Sequence, residues 1–378
     1  MYTPSRFLGA LGAGGLAVTF FLWLMFWIPH PGKPIPVFED WLAAMANAGP
    51  LQSLMIITAL IGVATFLSLH YVLLIKNLKA WSRFKSSAQG QAFVDSGLAI
   101  QRMAVTLTLA MAVNGGFIAG ALFVPGLWSV VEYLFPAALV VFAWIGISGL
   151  RTYLSIQAAG IERHETMPSF LPVLPGFAFA MVSVGMAAPA AMSEVPATQM
   201  VSIFGSLFFF VLAGFIALSN GMSSFRAIQE KGIEADAMPT LWIWVPLGTV
   251  LMIAWLRMSH GLEGLGLIEH GHTSLLLFAI FAAQTIVLMF GWSIKHRAGY
   301  FTRLREGELA KPAAYAMICP GVAYAVSIQF LLNKGLSADQ IIARFSPEYW
   351  VISGFAIVVT AVTIYYYQSL VRKLEWSA

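Results

Sequence analysis

Charge is what this chain has least of. Only 10% of its 378 residues are Asp, Glu, Lys or Arg, against about 25% in an ordinary soluble domain. One hydrophobic core stops growing near ~250–300 residues, and so little charge does not cover the water-facing surface of a chain this long. A soluble enzyme, a disordered chain and a nucleic-acid-binding domain are excluded together. Cysteine is nearly absent as well. The single Cys319 rules out an intrachain disulfide, a CxxC redox pair and a thiolate zinc site, and in its apolar run it reads as a small hydrophobe. There is no glycine–lysine phosphate loop, catalytic triad or nucleotide fingerprint, so the expectation is a non-enzyme with no ATP-driven pumping of its own.

What is present is apolar. Hydrophobic residues make up 59% of the chain and the mean hydropathy is +0.80, which describes an all-α polytopic membrane protein. A spanning helix needs roughly 20 mostly apolar residues. Ten such stretches lie near 5–28, 51–75, 97–124, 127–150, 168–191, 199–222, 239–258, 273–294, 312–332 and 350–370, making 1–378 a single transmembrane domain. Residues 97–150 form one long stretch split only by Pro125-Gly126. The apolar run from Phe7 to Ile28 is longer than the roughly 7–15 residues of a signal-peptide core, so it counts as a span.

The net charge of +4 and pI near 9.1 are explained by basic cytoplasmic loops rather than by a polyanion partner. Lys76, Lys79, Arg83, Lys85, Arg151, Arg163, Arg226, Lys231, Lys295, Arg297, Arg303, Arg305 and Lys311 follow even-numbered spans, and Arg6, Arg372 and Lys373 fall on the same side. The opposite side holds only Lys33, Arg257, Lys334 and Arg344. Sixteen against four predicts a cytoplasmic (inner) membrane protein with both termini in the cytoplasm.

A repeat is written in prolines. The fifth, seventh and ninth spans begin at Pro168, Pro239 and Pro312, 71 and 73 residues apart, and each has a second proline seven or eight residues on: Pro175, Pro246 and Pro320. Glycine follows within two positions, at Gly176, Gly248 and Gly321. Proline at a helix start has no N–H to lose. Proline two turns in is expected to remove a hydrogen bond and bend the helix. The first span instead has Pro4 with Gly9, Gly12, Gly14 and Gly15; the third ends in Asn114-Gly115-Gly116 and Gly120. Odd-numbered spans thus read as bent and rich in small residues, even-numbered ones as straighter. Weak internal repeats of this kind are typical of transporters, and Gly/Pro-interrupted spans mark the pathway. Small residues also serve close helix packing.

Three stretches carry a family resemblance. They are Pro4-Ser-Arg-Phe-Leu-Gly-Ala-Leu-Gly-Ala-Gly-Gly, Met167-Pro-Ser-Phe-Leu-Pro-Val-Leu-Pro-Gly-Phe-Ala-Phe-Ala-Met, and Phe215-Ile-Ala-Leu-Ser through Met238-Pro-Thr-Leu-Trp-Ile-Trp-Val-Pro to Lys311-Pro-Ala-Ala-Tyr. In these the chain resembles the tellurite-resistance/dicarboxylate transporters and plant slow anion channels. The resemblance implies five helical hairpins around a quasi-fivefold axis, odd helices inside, usually as a homotrimer, with small anions crossing along the axis. Members of the family include passive anion channels, dicarboxylate carriers and sulfite exporters, so the substrate stays open. In the family a ninth-helix phenylalanine plugs the pore. That position falls around Pro320 to Val322 here, where no aromatic stands, while Phe177 on the fifth span occupies a family-like pore-facing position. The residues expected at the pore or gate are therefore Phe177, Pro175, Pro246, Pro320, Val322 and Asn114.

Polar residues inside the membrane are few, and each is a site candidate because an ionisable group at the bilayer centre costs about 2.5–3.5 kcal/mol on insertion scales. Arg102 reads either as an anion-attracting group at the inner pore mouth or as a side chain snorkelling to headgroups or paired with Asp95. Glu132 reads as a structural hydrogen-bonding group. Asn114 offers its amide to an anion or to a neighbouring helix. Otherwise the pathway reads as nearly free of charge, which fits weakly hydrated monoanions better than a tightly held dicarboxylate.

The rival reading is a membrane redox protein. His70 lies inside the second span, and with His164 or His296 at similar depth it would supply axial ligands to haem b. A hydrogen-bonded or proton-coupling histidine explains it equally well. The stretch from His260 to His272 has metal-compatible spacings, but His-x-His is a weak signal. Ser337 to Phe345 reads as a short amphipathic helix with a Ser cap. The leading expectation is a channel or secondary transporter for small anions, embedded in the lipid bilayer, without a cofactor and without a nucleic-acid partner.

Overall fold

The computed structural model describes residues 2–163, 167–269 and 271–375. Among them the chain is helical with no strand, and ten helices are long and apolar enough to cross a membrane. They are Pro4–Trp27, Pro50–Lys85, Gly97–Phe123, Leu127–Gly160, Leu171–Met192, Pro196–Lys231, Ala235–Gly264, Ser274–Arg297, Pro312–Leu336 and Pro347–Glu375, here the first to tenth spans. Each expected span falls on one of them. The second, fourth and sixth run nine or ten residues past their apolar stretches. Hydropathy detects only the lipid-crossing part, whereas a 36-residue helix is about 54 Å long and exceeds the ~30 Å hydrocarbon core.

Packing separates two classes of helix. The first span packs on the third, the third on the fifth, the fifth on the seventh, the seventh on the ninth, and the ninth back on the first. Each even-numbered span lies against the odd one before it and the odd one after it, the tenth touching the ninth and the first. Burial follows. Of the most apolar stretch of the first, fifth and ninth spans 83% is buried, against 17% of the eighth. The third span is the exception at 44%, equal to the second. On the sixth span Phe204, Phe208, Val211, Phe215 and Leu218 form an exposed apolar stripe at helical spacing, the face a lipid-contacting helix presents.

Every odd-numbered span begins with a 3-10 turn: Pro4–Arg6, Gly97–Arg102, Leu171–Val173, Ala235–Trp242 and Pro312–Met317. This corrects the reading of the proline pairs as mid-helix bends. The α-helices proper start at Leu174, Trp244 and Ile318, so Pro175, Pro246 and Pro320 lie within their first three residues. There the N–H has no intrahelical partner and proline removes nothing. The repeat marks the change from 3-10 to α geometry.

The two chain ends meet on one side of the bundle, here the terminal side. Glu375 accepts from Arg6 (3.1 Å) and Lys76 (2.6 Å), and the Tyr367 hydroxyl donates to the Gly9 carbonyl at 3.0 Å. On the opposite side a helix the sequence reading did not anticipate, Phe38–Ala46, is fixed by its own polar groups. Asp40 accepts from the Val37 N–H (2.9 Å) and pairs with Lys33 (2.8 Å), and Trp41 donates to the Leu122 carbonyl (2.8 Å). Glu132 accepts from the Ser193 hydroxyl and the Glu194 N–H, both at 2.7 Å, the structural role expected of it. The helix expected over Ser337–Phe345 is absent. The ninth span ends in a π-helical turn, Leu331–Leu336, and the chain then turns through Gln340 and Phe345, both at positive φ, with the Ile341 and Ile342 N–H groups turned back on the Leu336 carbonyl.

Close approach depends on glycine at Gly261, where an added Cβ would stand 2.6 Å from the Ala190 carbonyl oxygen. Backbone cannot swing aside as a side chain can. Gly261→Ala should therefore lose about 1–3 kcal/mol of stability through overpacking. Gly214→Ala, whose Cβ meets nothing within 4 Å, should melt no lower than the parent protein. Thermal melts of the two variants in detergent check this, and equal melting would contradict the packing.

Candidate functional site: a central cavity

A cavity of about 500 Å³ lies between the five odd-numbered spans, and the fourth span completes its wall with Leu127, Trp128, Val131, Phe135, Ala138 and Phe142. Its residues nearest the helix starts are Leu11, Met111, Phe177, Pro246 and Cys319. None of the five 3-10 turns lines it. These turns pack on one another instead, first on third, third on fifth, seventh on ninth and ninth on first. The Phe170 N–H, at the head of the fifth span, donates to Thr240 of the seventh at 3.1 Å. The cavity is thus closed towards the terminal side. At the other end it reaches Pro34, His260, Glu263, Thr273 and Asp339, all on the opposite side, and there it is open.

The wall is mostly apolar, with Val18, Phe21, Phe117, Met181, Ile253, Val326 and Phe330 among its members. Phe330 meets Phe26 edge-on at 5.7 Å. One neutral polar cluster reaches the wall at Thr249. Its hydroxyl lies 3.1 Å from the Ala323 carbonyl and 2.9 Å from the Ser327 hydroxyl, and it accepts from Gln284 at 2.8 Å. The cluster joins the seventh, eighth and ninth spans.

One charge stands inside. Arg257, half-buried in the seventh span, lines the cavity, and its Nη1 donates to the Val184 carbonyl at 2.8 Å. Val184 is near the end of the helix Leu174–Met186, where the ladder leaves acceptors over. No carboxylate among the described residues lies within ion-pair distance of Arg257. At the mouth stand Lys334, Asp339, His260 and Glu263. Asp339 accepts from Ser274 and lies 3.1 Å from His272, and His260 is 3.7 Å from Glu263.

Of the residues expected at the pore, Phe177, Pro246, Val322 and Asn114 line the cavity, and Asn114 also donates to the Ala110 carbonyl at 3.1 Å. Pro175 and Pro320 do not line it; both are buried in the first helical turn among neighbouring helices. Arg102 is likewise outside the cavity. It ends the 3-10 turn Gly97–Arg102, and it makes no ion pair with Asp95. The reading of a pathway nearly free of charge needs correction: Arg257, which falls at the end of the expected seventh span and counts with the opposite side, lines the cavity. The glycines at 261, 264 and 266 resemble a loop, but the helix continues to Gly264, leaving seven helical residues beyond the arginine. That uninterrupted stretch, without proline, was the available signal.

Among the described residues His70 and His296 do not come together. His70 has no exposed surface; its Nδ1–H donates to the Ala10 carbonyl at 2.7 Å, and the central cavity does not reach it. His296 is exposed and stacked on Trp292, on a helix packed against the seventh and ninth spans, whereas the helix of His70 packs against the first and third. His164 and His270 lie outside the described residues. His70 is sealed by its neighbours and His296 lies on a helix with other packing partners, so these two do not fit as the paired axial ligands of a haem b. Among the described residues no group of three His, Cys, Asp or Glu is placed to hold a metal.

Compared with protein-family models, with curated proteins and with solved structures, the chain matches none.

The purified protein is expected to show no Soret band, oxidised or reduced. His70→Ala should lower stability by about 1–3 kcal/mol, because the bundle loses a buried side-chain bond to the Ala10 carbonyl and the packing of the ring, without changing the visible spectrum. A Soret band that disappears in the variant would reverse this assignment.

Proposed function

We propose that this protein is a channel or secondary transporter that moves small anions across the cytoplasmic membrane through its central cavity. The observation that carries the reading is the closed circuit of five odd-numbered helices around a cavity that opens on one side only. A membrane-spanning bundle has no structural need for a wide internal space, and such spaces between helices are where membrane proteins keep substrate pathways. Five hairpins around a quasi-fivefold axis, as in the slow-anion-channel and dicarboxylate-transporter resemblance, account for the way every even helix bridges two odd ones. The homotrimer implied by that resemblance is part of the same proposal.

The anion preference is supported by Arg257. It is a fixed cation in an apolar wall, and an intramembrane ionisable residue marks a pathway by default. Closure at the floor falls to the packed 3-10 turns and to Phe177, the fourth residue of its helix and among the lining residues nearest the closed end. A phenylalanine there blocks passage sterically without adding a charge to be desolvated. The excess of Lys and Arg on the terminal side places both termini in the cytoplasm on this reading, so the cavity opens outward.

In proteoliposomes loaded with chloride or nitrate, Phe177→Ala is expected to raise anion efflux several-fold over the parent protein. Unchanged efflux would remove Phe177 from the gate, and no protein-dependent efflux of any anion would overturn the transport reading. Reporter fusions at both ends should signal cytoplasmic exposure; an external signal from either end would overturn the orientation.

A further inference from the structure

Resting on the reading of the cavity as a substrate pathway, we infer that Arg257 binds the acidic group of an organic monoanion whose apolar body fills the cavity. Three observations converge on that chemistry. The first is the guanidinium itself. A guanidinium has five N–H donors, one bond is made to the Val184 carbonyl, and no described carboxylate neutralises the charge. Arg257 is only half-buried and forms part of the cavity wall, so the remaining donors are open to a ligand in a geometry that matches a carboxylate or sulfonate.

The second is the wall. Ile253 stands one helical turn below Arg257 on the same face, and Met181, Phe177, Val326 and Phe330 continue the apolar surface. A volume of about 500 Å³ falls within the ~300–1,000 Å³ typical of pockets for organic molecules, and it is far larger than a bare inorganic anion needs. Chloride would exchange its hydration for one guanidinium and hydrocarbon. An acid with an apolar body gains from both parts of the site.

The third is the mouth. Glu263 and Asp339 line it beside Lys334 and His260, so a second negative charge on the ligand meets hydrocarbon below Arg257 or carboxylates at the rim. One cation near the mouth, above an apolar wall, selects a single charge.

Titration calorimetry on the full protein in nanodiscs, with empty nanodiscs subtracted, tests this. The probes are benzoate, acetate, chloride, the dianion terephthalate and neutral benzyl alcohol. Benzoate should bind more tightly than every other probe. Arg257→Gln should weaken benzoate by about 10- to 100-fold, the loss expected for a charge-assisted hydrogen bond, and should bring it level with benzyl alcohol. Ile253→Trp, which keeps the charge and fills the space, should also weaken benzoate, and by a larger factor than chloride; it covers the case in which Arg257→Gln does not fold. Equal binding of benzoate and chloride, tightest binding of terephthalate, or an unchanged benzoate affinity in Arg257→Gln would overturn the inference. The two readings fail separately. Chloride efflux with no benzoate site sinks this inference alone, and a benzoate site in a protein that moves no anion sinks the transport reading.

Discussion

Five helices start with 3-10 turns that pack against one another on the terminal side of the bundle. That contact sets what the rest of the protein can be. In lipid every backbone N–H and C=O needs a partner, so irregular backbone survives only where protein covers it. The 3-10 segments meet the demand by being buried together at one end. Proline within the first turn of the following helix lowers it further, because those positions have no partner to lose. With the starts gathered and the ends apart, the space between the helices is sealed at one end and open at the other.

Two cations inside the helices show how differently the bundle treats charge. Lys295, with no exposed surface, sits 3.0 Å from the centre of the Trp242 ring, a contact in which the ring face attracts the ammonium. Trp242 is held in turn by its N–H to the Leu288 carbonyl at 3.1 Å and by Gly291, whose lack of a side chain admits the indole. This pair fastens the eighth span to the seventh and leaves no access. Arg257, by contrast, is tethered by one carbonyl and faces open space. Both stand near helix ends, and only their surroundings distinguish a fastening from a binding group.

Apolar runs of some 20 residues made the ten helices and their order legible, since hydropathy is a local property of the chain. The proline pairs were also legible as a repeat. Their consequence was misread, because whether a proline bends a helix depends on where its hydrogen-bond ladder begins, and the sequence does not mark the step from 3-10 to α. The site was legible in part. Phe177, Pro246, Val322 and Asn114 came from spans that line the cavity, while Pro175, Pro320 and Arg102, chosen by the same reasoning, face elsewhere.

Composition and periodicity by themselves determined that the chain has ten helices long and apolar enough to cross a membrane, and its single cysteine excludes an intrachain disulfide. Only the tertiary structure decided that five helices close on one another, that His70 is sealed away from His296, and that Arg257 faces a cavity. The physical reason is the same in each case. Solvation acts residue by residue and can be read along the chain, but the face a helix turns inward follows from contacts between segments 70 or more residues apart, such as the seventh span with the ninth and the first with the tenth.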